Sequence, residues 1–515
     1  MTLPLTSGKL LARNTVFNIL GTTAPLLVTV FFLPFLISSF GIDRFGVLAL
    51  VWVIIGYFSL FDLGLGRALT QMVAERLGAG DQDGIPSLVW VCLALMAVLG
   101  VFGAVVLGLM SNWLIYDVLK IPPELREESL SAFILLSLSL PIVISTAALR
   151  GMLEAKQRFG LINALRVPLA VFMYIGPILV LPFSVSLFHV VAVLVFGRIL
   201  AWSVHLVFCF RVFPSLKRKP RLKLRNAGPL FRLGGYITVS NLISPLLAYL
   251  DRFLIGSLIS VTAVAYYTTP YEIASKLWIF PGALVGVLFP AFSTCFKSDH
   301  ERARLLFLKG VKYIFIALFP FVLLITAFSY EGIEFWLGSD FARNSGRVMQ
   351  YMALGVFLNS FALVPFALIQ AAGRPAWTAV LHFIELPFYL AAIWILTSHY
   401  GIEGAAIAWL GRVAVDTLVL FLLSRRLLMP GFAGAERNPM MIIIPSLAML
   451  GLSYADADMG LKIAGAAIMI PLFAAVSWLV LLDQGERRFI CGRIPGIQAM
   501  SGLGGAKLRA WLEDK

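Results

Sequence analysis

The chain has 515 residues, of which 60% are hydrophobic and only 13% charged, and its formal net charge is +14. A composition this apolar excludes a soluble globular core and points to an all-α polytopic membrane protein, because apolar runs of about 20 residues recur from end to end. In a soluble protein the positive charge would suggest nucleic acid; here Lys and Arg gather in loops, where they set topology and meet anionic membrane lipid, so no nucleic-acid partner is expected.

Taken in chain order, apolar runs set against polar and Gly/Pro breaks predict about 14 transmembrane helices. They lie near residues 14–40, 46–76, 86–111, 129–153, 160–182, 186–211, 232–259, 263–294, 305–330, 347–371, 376–398, 402–424, 439–456 and 461–482. The polar start from Met1 to Arg13 leads into an apolar stretch too long and too Pro-punctuated for a signal-peptide core, so the first segment is read as a retained span. With the N-terminus inside, one set of loops holds Arg150, Lys156, Arg158, the dense run Lys217 to Arg225, Lys297, Arg302, Arg304, Arg425 and Arg426. The other set holds little beyond Arg44, Lys120, Arg126, Arg343, Arg347 and Lys462. That bias places both termini in the cytoplasm. The longest outer loops, Asn112 to Glu128 and Glu331 to Gly346, have room for about one turn or an interfacial helix each.

The sixth and twelfth segments share a pattern, Val191-Ala-Val-Leu-Val-Phe-Gly-Arg198 and Ala405-Ala-Ile-Ala-Trp-Leu-Gly-Arg412, and each runs to a basic, Pro-containing exit. Leu153-Glu-Ala-Lys-Gln-Arg158 and Ile369-Gln-Ala-Ala-Gly-Arg374 precede them at nearly the same offset, which suggests a duplication. Six helices per copy is even, so the repeats are parallel, about an axis along the membrane normal. The expected organisation is a six-helix lobe at 1–215, a basic cytoplasmic linker at 216–231, a second six-helix lobe at 232–430, two extra helices at 431–482 and a cytoplasmic tail at 483–515. The tail mixes basic and apolar residues, which suits a membrane-surface helix or disorder equally.

An ionisable side chain at bilayer depth is costly unless paired or hydrated, so each one asks for a reason. Asp62, Arg67, Arg198, Asp251, Arg252, Glu272, Lys276, Glu385, Arg412 and Asp416 qualify. Asp251 and Glu272 lie at similar depth in a hairpin turning near 260–262, so with Arg252 and Lys276 they form either one neutral ion-pair network or the lining of a hydrated cavity. Glu385, Asp416 and Arg412 give two acids and one base, and the surplus carboxylate can carry a proton. Arg198 has no acid within its hairpin, and Asp62 faces a first span without charge. Arg67 stands where its span leaves the hydrocarbon, a place that also suits a snorkelling anchor. Pro25, Pro34, Pro245, Pro281, Pro290 and Pro365 interrupt their helices, as transporters tolerate next to cavities.

Cys92, Cys209, Cys295 and Cys491 are scattered, with no metal-ligand spacing. There is no phosphate-binding G-x-x-x-x-G-K-[ST] loop, no nucleophile elbow and no outer segment long enough for a catalytic domain. No cofactor, metal or enzymatic activity is therefore expected.

Phe40-Gly-Ile-Asp-Arg-Phe-Gly46, Phe61-Asp-Leu-Gly-Leu-Gly-Arg67, Tyr249-Leu-Asp-Arg-Phe-Leu-Ile-Gly256, Ala265-Tyr-Tyr267, Leu288-Phe-Pro-Ala-Phe-Ser293, Gly373-Arg-Pro375 and Tyr400-Gly-Ile-Glu-Gly-Ala-Ala-Ile-Ala408 follow one another in order. Over about residues 12 to 430 the chain resembles the polysaccharide-transporter branch of the multidrug/oligosaccharidyl-lipid/polysaccharide exporter superfamily, the Wzx-like flippases. The resemblance implies two six-helix lobes in a V around a cavity lined by spans one, two, seven and eight. It implies a sugar chain on a polyprenyl pyrophosphate as substrate, moved across the bacterial inner membrane by alternating access, with a polymerase and glycosyltransferases as functional partners. Arg67, Arg198, Arg252, Lys276 and Arg412 would supply cations for the pyrophosphate. Asp62, Asp251, Glu272, Glu385 and Asp416 would couple an ion. A drug/cation antiporter of the same superfamily would share the fold but not a cationic cavity, and a membrane-embedded polymerase or glycosyltransferase would need an outer catalytic segment.

Overall fold

The computed structural model describes residues 28–60, 64–78, 81, 83–156, 158–217, 247, 249–296, 299–428 and 458–487. The expected span at 439–456, most of the basic linker, Asp62 and the tail beyond Arg487 lie outside them. Every element among the described residues is helical, and nine stretches are long and apolar enough to cross a membrane. The helices are α1 (Val28–Phe40), α2 (Ile42–Leu60), α3 (Leu65–Gly78), α4 (Ile85–Trp113), α5 (Pro123–Ala155), α6 (Phe159–Val180) and α7 (Leu187–Val212). They continue as α8 (249–258), α9 (Val261–Ala274), α10 (Ile279–Cys295), α11 (His300–Ala327), α12 (Ser329–Leu337), α13 (Ser339–Ala371), α14 (Pro375–Leu428) and α15 (Met459–Val476).

Local chemistry explains where these helices start and stop. Ser260 accepts a hydrogen bond from the Ala263 amide and starts α9, and Asp299 does the same for Arg302 at the start of α11. The span expected at 263–294 is interrupted by a 3₁₀ turn, Ser275–Trp278. Pro281 lacks the N–H that would bond the Leu277 carbonyl, which favours the break there, whereas α1 and α13 run unbroken through Pro34 and Pro365 despite the interruptions expected at both. The two segments expected at 376–398 and 402–424 form one continuous run, α14, folded back at Gly401, whose φ of +60° and ψ of −142° lie outside the helical region. The outer loop expected at 331–346 contains the short helix α12, closed by Gly338 at φ +90°.

In lipid, close backbone approach replaces the hydrophobic effect as the force that joins helices. A Cβ on Gly100 would lie 2.4 Å from the Pro141 Cα, so α4 and α5 touch backbone to backbone. Helices α2 to α7 pack on one another, as do α9 to α14, with α15 added against α11. The two groups meet along α2 and α9. There one apolar cluster continues from Leu36, Leu48, Leu50 and Ile55 into Leu247, Ile255, Val261 and Val264.

Candidate functional site

The intramembrane charges resolve into separate stations. Asp251 and Arg252, on α8 about 14 Å from the Ser260 turn at 1.5 Å per residue, are each only 1% exposed. Arg252 Nη1 lies 3.1 Å from Asp251 Oδ1, and the Tyr267 hydroxyl donates to Asp251 Oδ2 at 2.8 Å. The guanidinium carbon sits 4.4 Å from the ring centre of Tyr271 and 5.4 Å from that of Tyr249. This pair is built into the interior of the second helix group.

Glu272 and Lys276 form a second pair at 3.1 Å, and they remain 29% and 27% exposed. Lys276 stands in the 3₁₀ turn, one helical turn beyond Glu272. The Tyr174 hydroxyl of α6 reaches Glu272 and Thr29, and its ring packs edge-on against Trp52 at 5.2 Å. A half-exposed ion pair of the second group thus faces the first. The four charges, for which the sequence left open one neutral network or the lining of a cavity, pair two by two, with Tyr249 within electrostatic reach of both pairs and Glu272 within reach of Arg252.

The third station lies in the α14 hairpin. Arg412 Nη1 is 3.6 Å from Glu385 Oε2, and His382 Nε2 is 3.6 Å from Asp416 Oδ1. Ligand atoms of His382, Glu385 and Asp416 fall within 4.8 Å of one another, which makes this trio able to hold a cation. Tyr389 lies under Arg412, ring centre to guanidinium carbon 5.5 Å, and Phe366 stacks on the imidazole. Both carboxylate oxygens of Glu385 and Oδ1 of Asp416 are buried without a hydrogen-bond partner. His382 was not singled out in the sequence; its spacing of three from Glu385, which puts both on one helix face, is the signal that would have found it.

Arg198 touches the Met173 thioether at 3.7 Å and pairs with no acid among the described residues. The Gly-Arg pairs of the suggested repeat therefore sit in different surroundings: Gly197 is pressed on Phe172, whereas nothing lies near Gly411. Arg67 is exposed in the first turn of α3.

The helix groups are joined by polar contacts at one end of the bundle. The Thr262 hydroxyl donates to the Asp43 carboxylate, the Lys120 amide donates to the Gly256 carbonyl at 3.0 Å, and the Lys120 ammonium donates to the Leu258 carbonyl. Deeper in, the Tyr249 hydroxyl approaches Gly56.

Against known families, residues 41–345 match the model described as "Polysaccharide biosynthesis protein". The chain belongs to that family. A putative O-antigen transporter of Shigella flexneri is 29% identical over 420 residues, 79% of this chain and 96% of that one. Among solved structures, the lipid II flippase MurJ in an inward closed conformation superposes with a TM-score of 0.69 at 14% identity, covering 92% of this chain and 100% of that one. An inward-facing multidrug resistance transporter of the MATE family gives 0.65 at 18% identity, covering 80% and 98%. At such identities the likeness establishes the fold alone, an all-helical architecture.

Proposed function

We propose that this protein is a flippase that carries a polyprenyl-pyrophosphate-linked oligosaccharide across the bacterial inner membrane by alternating access. The observation that carries the reading is the Glu272–Lys276 pair, 29% and 27% exposed and facing Tyr174 of the opposite helix group. A pyrophosphate crossing apolar territory needs a fixed cation that it can reach, and an ion pair already solvated can exchange partners at low cost. Lys276 is the substrate cation in this scheme, and Arg67 at the mouth of α3 meets the headgroup early. Arg198, Arg252 and Arg412 lie within the helix groups and support the field from behind.

The relatives favour the same class. The Shigella flexneri protein is named a putative O-antigen transporter, and MurJ is a lipid II flippase. Ion coupling is assigned to Glu385 and Asp416, with Asp251 and Glu272 as further carboxylates; Asp62, outside the described residues, is proposed for the same role on its sequence position. With both termini cytoplasmic, the end of the bundle that carries Asp43 and Lys120 faces outward and is closed. Proteoliposomes loaded with a lipid-linked oligosaccharide test the reading: the sugar should become accessible to an added glycosidase at a rate that depends on the protein. Unchanged accessibility would remove the flippase assignment, and new glycosidic bonds would replace it with a polymerase.

A further inference from the structure

We infer that Gly46 and Lys120 set the closed state of the Asp43 end, Gly46 by having no side chain and Lys120 by holding the end of α8. The inference rests on the alternating-access reading above and names its closing contacts.

A Cβ on Gly46 would lie 1.9 Å from the Val261 carbonyl oxygen and 2.6 Å from its carbon. The obstacle is backbone, so no rotamer change relieves it. Val261 is the first residue of α9, fixed by the Ser260 cap, and cannot give way without unseating that helix. Gly100, Gly151 and Gly404 are also pressed on backbone, at Pro141, Gly66 and Leu396, but each of those contacts lies within one helix group. Among the described glycines pressed in this way, Gly46 alone meets the other group. A side chain there leaves each group's own packing intact and obstructs only their closure.

Lys120 acts on the adjoining turn. The last carbonyls of a helix have no partner of their own, and a cation there is favoured by the aligned peptide dipoles. Lys120, from the connection between α4 and α5, supplies both: its amide bonds the Gly256 carbonyl and its ammonium the Leu258 carbonyl. Leu119 and Leu50 pack beside Gly256, so this hold is continuous with the Gly46 contact. Opening the end would strip both carbonyls of these donors.

The test reads accessibility and needs no substrate. Leu50→Cys places a thiol beneath the contact, in a background with Cys491→Ser; Cys92, Cys209 and Cys295 are buried. A membrane-impermeant maleimide is applied to right-side-out and to inverted vesicles. Gly46→Ala should raise labelling from one side by about tenfold or more, since tenfold corresponds to only about 1.4 kcal/mol of overlap. Lys120→Ala should raise it less, from the same side, because the backbone bond to Gly256 survives. Gly460→Ala, in open space on α15, should change nothing. Parental labelling in both Gly46→Ala and Lys120→Ala would overturn the inference. So would aggregation of Gly46→Ala, because a contact made only between groups is not needed to fold either one. A failed flipping assay with normal labelling shifts would instead remove the substrate assignment and leave this gate standing.

Discussion

Arg412 lies 3.6 Å from Glu385 across the α14 hairpin, and Asp416, which also contacts Glu385, lies 3.6 Å from the imidazole of His382. Two carboxylates face one guanidinium, so Glu385, Asp416 and Arg412 offer one acid more than bases. The cluster can therefore take up one cation, a proton or a metal ion, without a further counter-charge. Removing Glu385 would leave Arg412 buried and unpaired, a cost of about 3–5 kcal/mol, so its loss confounds coupling with folding. Asp416→Asn is the cleaner change. It should abolish the stimulation of transport by an ion gradient while leaving substrate exchange without a gradient intact, both measured in proteoliposomes. Full stimulation in the variant would remove Asp416 from coupling.

Lys276 and Arg252 should both be needed for export, for different reasons. Lys276→Ala removes a half-exposed cation and should abolish surface polysaccharide while the protein inserts in normal amount. Arg252→Ala empties a sealed site and strands Asp251 without its cation, so the expected loss is about 3–5 kcal/mol of stability. Its thermal unfolding in detergent should begin well below that of Lys276→Ala. Undiminished polysaccharide with Lys276→Ala would take that residue out of the mechanism.

Much of this arrangement was legible in the sequence because it depends on features a chain displays locally. Apolar length marked the spans, Pro281 foretold an interrupted helix, and the Tyr400-Gly401 step separated two segments that fold back on each other. Charges at bilayer depth identified Glu385, Arg412 and Asp416 of the α14 cluster and the two pairs Asp251–Arg252 and Glu272–Lys276. What periodicity does not specify is rotation about the helix axis. Asp251 and Glu272 lie at similar depth, yet Asp251 turns toward Tyr267 and Glu272 toward Tyr174, which divides the four charges into two pairs. His382 escaped notice for the same reason: its value depends on Asp416 arriving from the other arm of the hairpin. The contact of Gly46 with Val261 joins residues more than two hundred positions apart and leaves no local mark.

The α14 hairpin offers a test of packing that is independent of transport. Gly401 adopts φ +60°, and a Cβ on Gly404 would lie 1.9 Å from the Leu396 carbonyl oxygen. Gly401→Ala should cost about 1–3 kcal/mol, because φ +60° with ψ −142° is a conformation that essentially only glycine adopts. Gly404→Ala should cost more, because the two arms cannot separate without exposing backbone to lipid. A melting temperature of Gly404→Ala equal to or above that of Gly401→Ala would contradict the hairpin as described.

The far end of α15 is fixed to α11 by charge. Asp483 and Glu486 cap each other reciprocally, Glu486 N–H to Asp483 Oδ1 at 2.8 Å and Asp483 N–H to Glu486 Oε2 at 2.9 Å. Glu486 also accepts from Lys312 at 2.6 Å and from the Tyr313 hydroxyl. Burial opposes the Glu486 charge, but the bonds from Lys312 and Tyr313 outweigh it and hold the carboxyl at about 2. The Asp483 carboxyl is likewise lowered, first by the Glu486 amide. Both folded values lie below the unfolded ones, so the attachment is at full strength above the ordinary carboxylate range and weakens progressively as pH falls from about 5 to about 2. Amide protection across residues 477–487, corrected for intrinsic exchange at each pH, should therefore be flat from pH 7 to about 5 and fall steadily from there to about 2. Glu486→Gln should lower that protection already at neutral pH. A midpoint near 4.5 in the unaltered protein would show that Lys312 and Tyr313 do not hold the charge.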